Sequence, residues 1–417
     1  MDLTATSTFG LTLLGALALL TTIRPRWALL CFIFLVPCPA LPDWLGFDPR
    51  LYWAFFIGAV AIVLSIVRHE FRLPRPAAIA WVFFVALGAL VLWLNPSGLT
   101  GDDLDAAYSF FRYFVAGSLV FFAFRQLITT CEEMQRFFTA FAGSVLVVSC
   151  EGLSEAIRSY AVGGSGRIAG IFGNPNYLAG FMALSVSVLL LIRHQLTPDR
   201  SRMRKFLMVV VVFASLCCVS TLSRGGTTAL VLGISLHWFF VINPKMSMRR
   251  LVLALVPATL TIILLTTSDL MSYRLQVSYS DDPHTTDVAT ANQAVEDLSR
   301  LEAALFAVDL ITQRPTFGSG IGTFAAINYK NTGNYIANHD TYLEILTGTG
   351  IIGLLLLVRV LWVLGAQLTS SQTRALAGLL GTTFAVGATM DLMQALEFFA
   401  LFSVAYCFAR LCVNEGA

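Results

Sequence analysis

Residues 338–357 read NHDTYLEILTGTGIIGLLLL, a short polar approach that opens directly into an apolar run continuing to about residue 366. At roughly 1.5 Å per helical residue, such a run is long enough to cross the ~30 Å hydrocarbon core of a bilayer. His339 therefore stands where lipid meets water, at the end of a long polar loop. A titratable imidazole in that position is a candidate for proton transfer on a membrane-bound substrate.

Runs of the same kind recur along the chain. They lie near 8 to 23, 27 to 41, 51 to 67, 77 to 94, 107 to 128, 137 to 157, 176 to 192, 206 to 222, 225 to 242, 251 to 268, 342 to 366, 375 to 392 and 395 to 412. About 12 spans are expected from this pattern, with the least definite count at the N-terminus, where two short runs flank Arg24 and Arg26. Composition agrees: 57% of residues are hydrophobic and 12% charged, and the mean hydropathy is +0.75. The expected fold class is an all-α polytopic membrane protein, with residues 1–417 forming a single transmembrane domain. A formal net charge of +2 gives no electrostatic reason to bind nucleic acid. The first run, Phe9 to Ile23, has no basic stretch before it and is followed by Arg24-Pro25-Arg26, so it is expected to remain in the mature protein. The eight cysteines fall mostly in or beside apolar runs without metal-ligand spacing. They read as small packing residues, with neither a disulfide nor a zinc site expected.

Orientation follows from the basic residues. The groups Arg68/Arg72/Arg75, Arg193/Arg200/Arg202/Arg204/Lys205 and Lys245/Arg249/Arg250, with Arg374 and Arg410, alternate onto one side, which is assigned to the cytoplasm. The segments at 95 to 106, 159 to 175, 220 to 225, 269 to 341 and 390 to 395 then share the other side. The long loop at 269–341 is expected to contain an amphipathic helix, because Val295, Leu298, Leu301, Leu305 and Val308 recur at helical spacing. Turns should follow over Arg314 to Gly322.

Several residues on that second side could carry chemistry. Thr341-Tyr342-Leu343-Glu344 fits a capping box that would start a helix and leave His339 just before it. The alternative for His339 is a loop histidine held by hydrogen bonds. Arg224, in Ser220-Thr221-Leu222-Ser223-Arg224-Gly225-Gly226, occupies a tight turn whose hydroxyls, small residues and helix start suit an anion such as phosphate. Its alternative is an arginine snorkelling from a helix end. Arg300 lies one position off the apolar stripe of the loop helix and would face a cavity, unless it pairs with Glu296 four residues earlier. Arg167 stands in a glycine-rich loop before Asn174-Pro175-Asn176, which reads as an N-cap with proline at the first helical position. Asp102, Asp103 and Asp105 could hold Mg²⁺ or Mn²⁺, or could serve simply as an acidic helix start.

Together, Arg167 with Gly173-Asn174-Pro175-Asn176, Ser220 to Gly225, Arg300 before Pro315-Thr316-Phe317-Gly318-Ser319-Gly320 and Phe324, and His339 with Tyr342-Leu343 and Gly350-Ile351-Ile352-Gly353 resemble the O-antigen ligase family. That group also contains O-antigen polymerases and bacterial protein O-oligosaccharyltransferases. The resemblance covers roughly residues 165 to 360. It implies a GT-C-like membrane fold in the bacterial inner membrane, with the site facing the periplasm and 269–341 forming a periplasmic loop. It further implies transfer of O-antigen from undecaprenyl diphosphate to the lipid A core. His339 corresponds to the family's essential histidine, Arg224 and Arg300 to its arginines, and Arg167 joins them as a diphosphate ligand. No cofactor is expected. Asp340 departs from the Asn or Ser that often follows the family's histidine. Two other classes remain: a polymerase or protein ligase with a different acceptor, and a lipid-linked glycan transporter, which should carry ionisable groups at the bilayer midplane in broken helices.

Overall fold

The computed structural model describes residues 3–37, 48–70, 72–161, 167–196, 200–242, 302–332, 340–390, 392 and 395–412. These residues form helices and turns, with no strand among the described residues. In chain order the helices are α1 (Leu3–Ile23), α2 (Pro25–Leu35), α3 (Pro49–Val67), α4 (Arg75–Leu94), α5 (Asp102–Leu127), α6 (Cys131–Ala161), α7 (Pro175–Gln195), α8 (Ser201–Ser220) and α9 (Arg224–His237). They continue as α10 (302–313), α11 (Phe324–Thr332), α12 (Thr341–Gly365), α13 (Ser370–Ala375), α14 (Ala377–Gly387) and α15 (Leu396–Cys412). Among the described residues, seven helices are long and apolar enough to cross a membrane, namely α3 to α8 and α12. The apolar run at 251 to 268 lies outside the described residues.

Helix α7 forms the centre, most of its length buried, and packs against α8 and α9. Helix α9 in turn packs on α14, and α6 on α8. Around this core, α3 packs on α5, α5 on α15, and α12 on α4. The contact of α7, α9 and α14 depends on small residues: a Cβ on Gly233 would come within 2.5 Å of Ser187 Oγ. There Ser187 and Thr382 share a hydrogen bond of 2.7 Å between buried hydroxyls. Small residues that let backbones approach, with hydroxyls bonding across, are the usual means of joining helices where no water drives association.

The two ends of the bundle differ in chemistry, as the alternation of basic residues predicts. At one end Arg26 donates to Leu127 O at 3.1 Å and pairs with Glu133. There too Arg125, only 2% exposed, donates to Arg72 O at 2.9 Å and Tyr406 Oη at 3.0 Å, and also bonds Gln367. Arg200 reaches Gln135, and Gln372 donates to Arg410 O at 3.3 Å. We refer to this as the basic end. The segments 95 to 101, 167 to 174, 221 to 223 and 340 gather at the opposite end.

Four expectations need correction. Cys131 and Cys412, at the start of α6 and the end of α15, form a disulfide with a Cα–Cα distance of 5.2 Å. They are 281 residues apart in sequence, so no spacing pattern could have paired them. Cys217, Cys218 and Cys407 are buried packing residues as expected. Second, the run at 342 to 366 is not one continuous helix, since Gly350 has φ 63° and ψ −166°. Third, α10 is present over 302–313, but its packed face is Ala303, Phe306, Ala307 and Leu310 against Leu99, Phe324 and Ile327. Leu305 and Val308, which the spacing placed on the packed stripe, are exposed. Ala303, Phe306, Ala307 and Leu310 form the face toward Phe324 and Ile327 of α11, and Leu305 and Val308 are turned outward. The fourth, the capping box at the start of α12, concerns the candidate site.

Candidate functional site at the end opposite the basic face

Two helix starts lie side by side here. Asn174 caps α7, its Oδ1 accepting from Asn176 N at 2.9 Å and Tyr177 N at 3.4 Å, with Pro175 at the first helical position. Ser223 caps α9, accepting from Gly226 N at 3.3 Å, and Arg224 is the first, exposed residue of that helix. The caps are joined because Ser223 Oγ donates to Asn176 Oδ1 at 2.9 Å. The turn before Arg224 is tight enough to hold Leu222 at φ 55°, a left-handed conformation costing an L-residue about 1 to 2 kcal/mol.

Arg167 joins this pair. Its Nη2 donates to Asn176 Oδ1 at 2.7 Å and its Nε to Thr221 O at 3.4 Å. Thr221 precedes Arg224 by three residues, so the structure brings Arg167 and Arg224, 57 positions apart in sequence (224 − 167), to one turn. The segment after Arg167 is held from below by α6: Gly170 N donates to Glu155 Oε2 at 2.6 Å and Ile171 N to Glu151 Oε2 at 3.0 Å. Each helix start carries roughly half a positive charge from its aligned peptides. Two such starts and two guanidinium groups offer donors to an anion at this corner, with the carboxylates of Glu151 and Glu155 engaged by the amides of Gly170 and Ile171.

The glycines beside Arg224 serve a different purpose from the one their small size suggests. A Cβ on Gly226 would approach the backbone carbon of Ala179 to 3.1 Å, and one on Gly225 would approach Thr389 Oγ1 to 2.7 Å. Gly225 and Gly226 let α7 and α14 close in on α9, and their space is filled by protein.

Helix α12 starts next to the same corner. Its cap is Asp340, whose Oδ1 accepts from Tyr342 N at 2.8 Å and Leu343 N at 3.0 Å. The expected capping box is therefore absent. Thr341 Oγ1 instead donates to Met390 O at 2.8 Å and accepts from Leu392 N at 2.9 Å. Glu344, 3% exposed, accepts from Gly322 N at 2.9 Å. A one-residue shift of the cap frees both side chains to bind neighbouring segments. The end of α14 thus touches α9 through Thr389 and α12 through Met390, and Tyr342 lies over Phe384 with ring centroids 5.5 Å apart. His339, the residue before the Asp340 cap, and Arg300, two residues before α10, lie outside the described residues.

The turn segment after α10 inserts into the break in α12. Ser319 N donates to Thr347 O at 2.7 Å and Gly320 N to Gly348 O at 2.9 Å, while Ile351 N donates to Pro315 O at 2.8 Å and Ile352 N to Thr316 O at 3.3 Å. Backbone groups freed by the kink are therefore bonded to another segment, which is the condition for irregular backbone at membrane depth. Gly318, at φ 72°, lies so close to α12 that a Cβ would meet Gly348 C at 2.6 Å.

Several features here lie beyond local sequence patterns. Asn176 was read only as part of a helix start, and Glu151, Glu155 and Glu344 all bind backbone amides that no local pattern identifies. A buried network is also present: Arg50 Nη2 pairs with Asp48 Oδ2 at 2.8 Å, and Tyr113 Oη donates to the same oxygen at 2.8 Å. Asp102, Asp103 and Asp105 occupy the first turn of α5, as an acidic helix start would.

Residues 209–358 match the family model described as O-antigen ligase. The match covers the latter part of α8, all of α9, α10 and α11 and most of α12, and so includes Arg224, Arg300, His339 and the inserted turn segment. Comparison with curated proteins found no significant match.

Proposed function

We propose that the chain belongs to the O-antigen ligase family, whose model matches residues 209–358, and that it transfers O-antigen polysaccharide from undecaprenyl diphosphate to a sugar hydroxyl of the lipid A core. The reaction takes place on the periplasmic side of the inner membrane. The observation that carries this reading is the convergence of Arg167 and Arg224 on the joined caps of α7 and α9.

In the proposed reaction Arg224, Arg300 and Arg167 bind the donor's diphosphate. The acceptor oxygen attacks the anomeric carbon opposite the leaving group, the bond from that carbon to phosphate breaks, and undecaprenyl diphosphate departs with configuration inverted. His339 takes the acceptor proton as general base, a role worth roughly 10² to 10⁴-fold in rate. Guanidinium groups stabilise the charge growing on phosphate, a contribution of about 3 to 4 kcal/mol for one well-placed donor. The membrane holds both lipid-linked substrates in one plane, which lowers the entropy of their encounter.

The reading requires no metal, because three arginines provide the positive charge. Transfer should survive EDTA; loss on chelation with recovery on adding Mg²⁺ or Mn²⁺ would shift attention to Asp102, Asp103 and Asp105. Arg224→Ala should abolish transfer, and Arg224→Lys should restore little, because a point charge does not reproduce a fork on two phosphate oxygens. Arg300→Ala should behave in the same way but more mildly. Wild-type transfer by both alanine variants at matched membrane abundance would remove the diphosphate assignment.

The break in α12 is relevant to the transporter alternative. Gly350 lies nine residues beyond the start of α12, about 14 Å in depth and therefore near the bilayer midplane. A transporter would present the freed backbone to its cargo. In this chain Ser319 N and Gly320 N take up the carbonyls of Thr347 and Gly348, which favours a structural break. The acceptor is tested by deleting the gene in its host and examining lipopolysaccharide on gels. Loss of all capped core identifies a ligase, and core carrying a single repeat identifies a polymerase.

A further inference from the structure

We propose that Asn176 is a positioning residue of the anion site, its amide oxygen holding the guanidinium of Arg167 and the cap of α9 in one register. The proposal rests on the reading that this corner binds the diphosphate of a lipid-linked substrate.

The geometry is specific. Asn176 Oδ1 accepts from Arg167 Nη2 at 2.7 Å and from Ser223 Oγ at 2.9 Å. An amide oxygen has two lone pairs, and both are used. Asn176 itself stands on the first turn of α7, fixed by the Asn174 cap two residues earlier. Three separate parts of the chain meet at this one atom: the segment after the glycine-rich loop, the start of α7 and the start of α9. Without it, the Arg167 guanidinium loses one anchor and the link between the two caps is broken.

The residue type matters as much as its place. An aspartate would accept the same two hydrogen bonds and would bind a guanidinium more strongly, because bonds between ionised partners are roughly twice as strong as neutral ones. For local stability alone, aspartate is the better choice. It would, however, place a negative charge beside the arginine and oppose any anion approaching it. An amide aligns the guanidinium without adding that opposing charge. Asparagine at 176 therefore fits a site whose positive charge is meant for a ligand.

This gives two orderings that a purely structural role cannot produce together. The full-length protein in lipid nanodiscs would be tested with undecaprenyl diphosphate as the probe, measuring its Kd alongside the thermal midpoint. We expect Asn176→Ala to weaken binding at least about tenfold, on the scale of losing one hydrogen bond to a charged group. Asn176→Asp should bind more weakly still, yet melt at or above Asn176→Ala. Wild-type binding by Asn176→Asp would overturn the proposal, since it would show that only the acceptor geometry matters; so would wild-type binding by Asn176→Ala. Should the alanine variant fail to fold, comparing the aspartate variant with wild type decides the matter alone. Arg167→Ala and Arg224→Ala distinguish the two levels of the argument. If both bind the probe as wild type does, the anion site itself is wrong; if they weaken while the Asn176 ordering fails, only the role of Asn176 falls.

Discussion

His339→Ala is expected to lower transfer by at least about 10²-fold, the lower range for losing a positioned base, while expression and donor binding stay near wild type. The acceptor hydroxyl is a weak nucleophile, and the leaving group is already good. The proton is therefore the part of the reaction that most needs help. The next residue, Asp340, fixes the start of α12 by accepting two backbone amides. The rate should rise with pH through the range in which imidazoles lose their proton, because only the neutral ring can accept one. In the alanine variant that rise should disappear. Retention of most activity, or loss explained by misfolding or failed donor binding, would make the histidine structural and leave the proton to water or to a carboxylate such as Asp340.

Gly350→Ala is expected to damage the fold severely. At φ 63° and ψ −166°, Gly350 occupies a region almost exclusive to glycine, where another residue pays about 1 to 3 kcal/mol in strain. The added Cβ would also come within 2.6 Å of Phe317 N, inside the inserted segment. The segment would then have to leave, orphaning the carbonyls of Thr347 and Gly348. A lower melting temperature and faster hydrogen exchange at Ser319 and Gly320 are the expected readouts. Gly365→Ala is the control: nothing lies within 4 Å of its Cβ, and it should be neutral or slightly stabilising. Equal melting temperatures for the two variants would contradict the account of the break.

Much of this was legible in the sequence because it depends on local chemistry. Helix cores followed from apolar runs, the basic end from the alternation of arginines, and the cap at Asn174 from a short polar residue before a proline-started helix, whereas the cap at Ser223 emerged only from the structure. What could not be read depends on contacts between distant segments. The break at Gly350 is hidden inside TGTGIIG, where glycines and β-branched residues fit a continuous span equally well, and only the backbone of residues 315–320 makes the break stable. The cap of α12 was misjudged by one residue, because Asp340 and Thr341 are both good caps and the choice was decided by the Thr341 bonds to Met390 and Leu392. Arg167 and Arg224 were each picked out singly, but Asn176, which joins them, looks from the sequence like any residue in a first helical turn.

The disulfide between Cys131 and Cys412 doubles as a compass. It sits at the basic end, where the start of α6 also carries the Glu133 partner of Arg26. If that end faces the cytosol, glutathione and thioredoxin keep the two sulfurs as thiols in living cells. In the opposite orientation an oxidising compartment would close it from the time of synthesis. The redox history of this one pair therefore records which way up the bundle lies in its membrane.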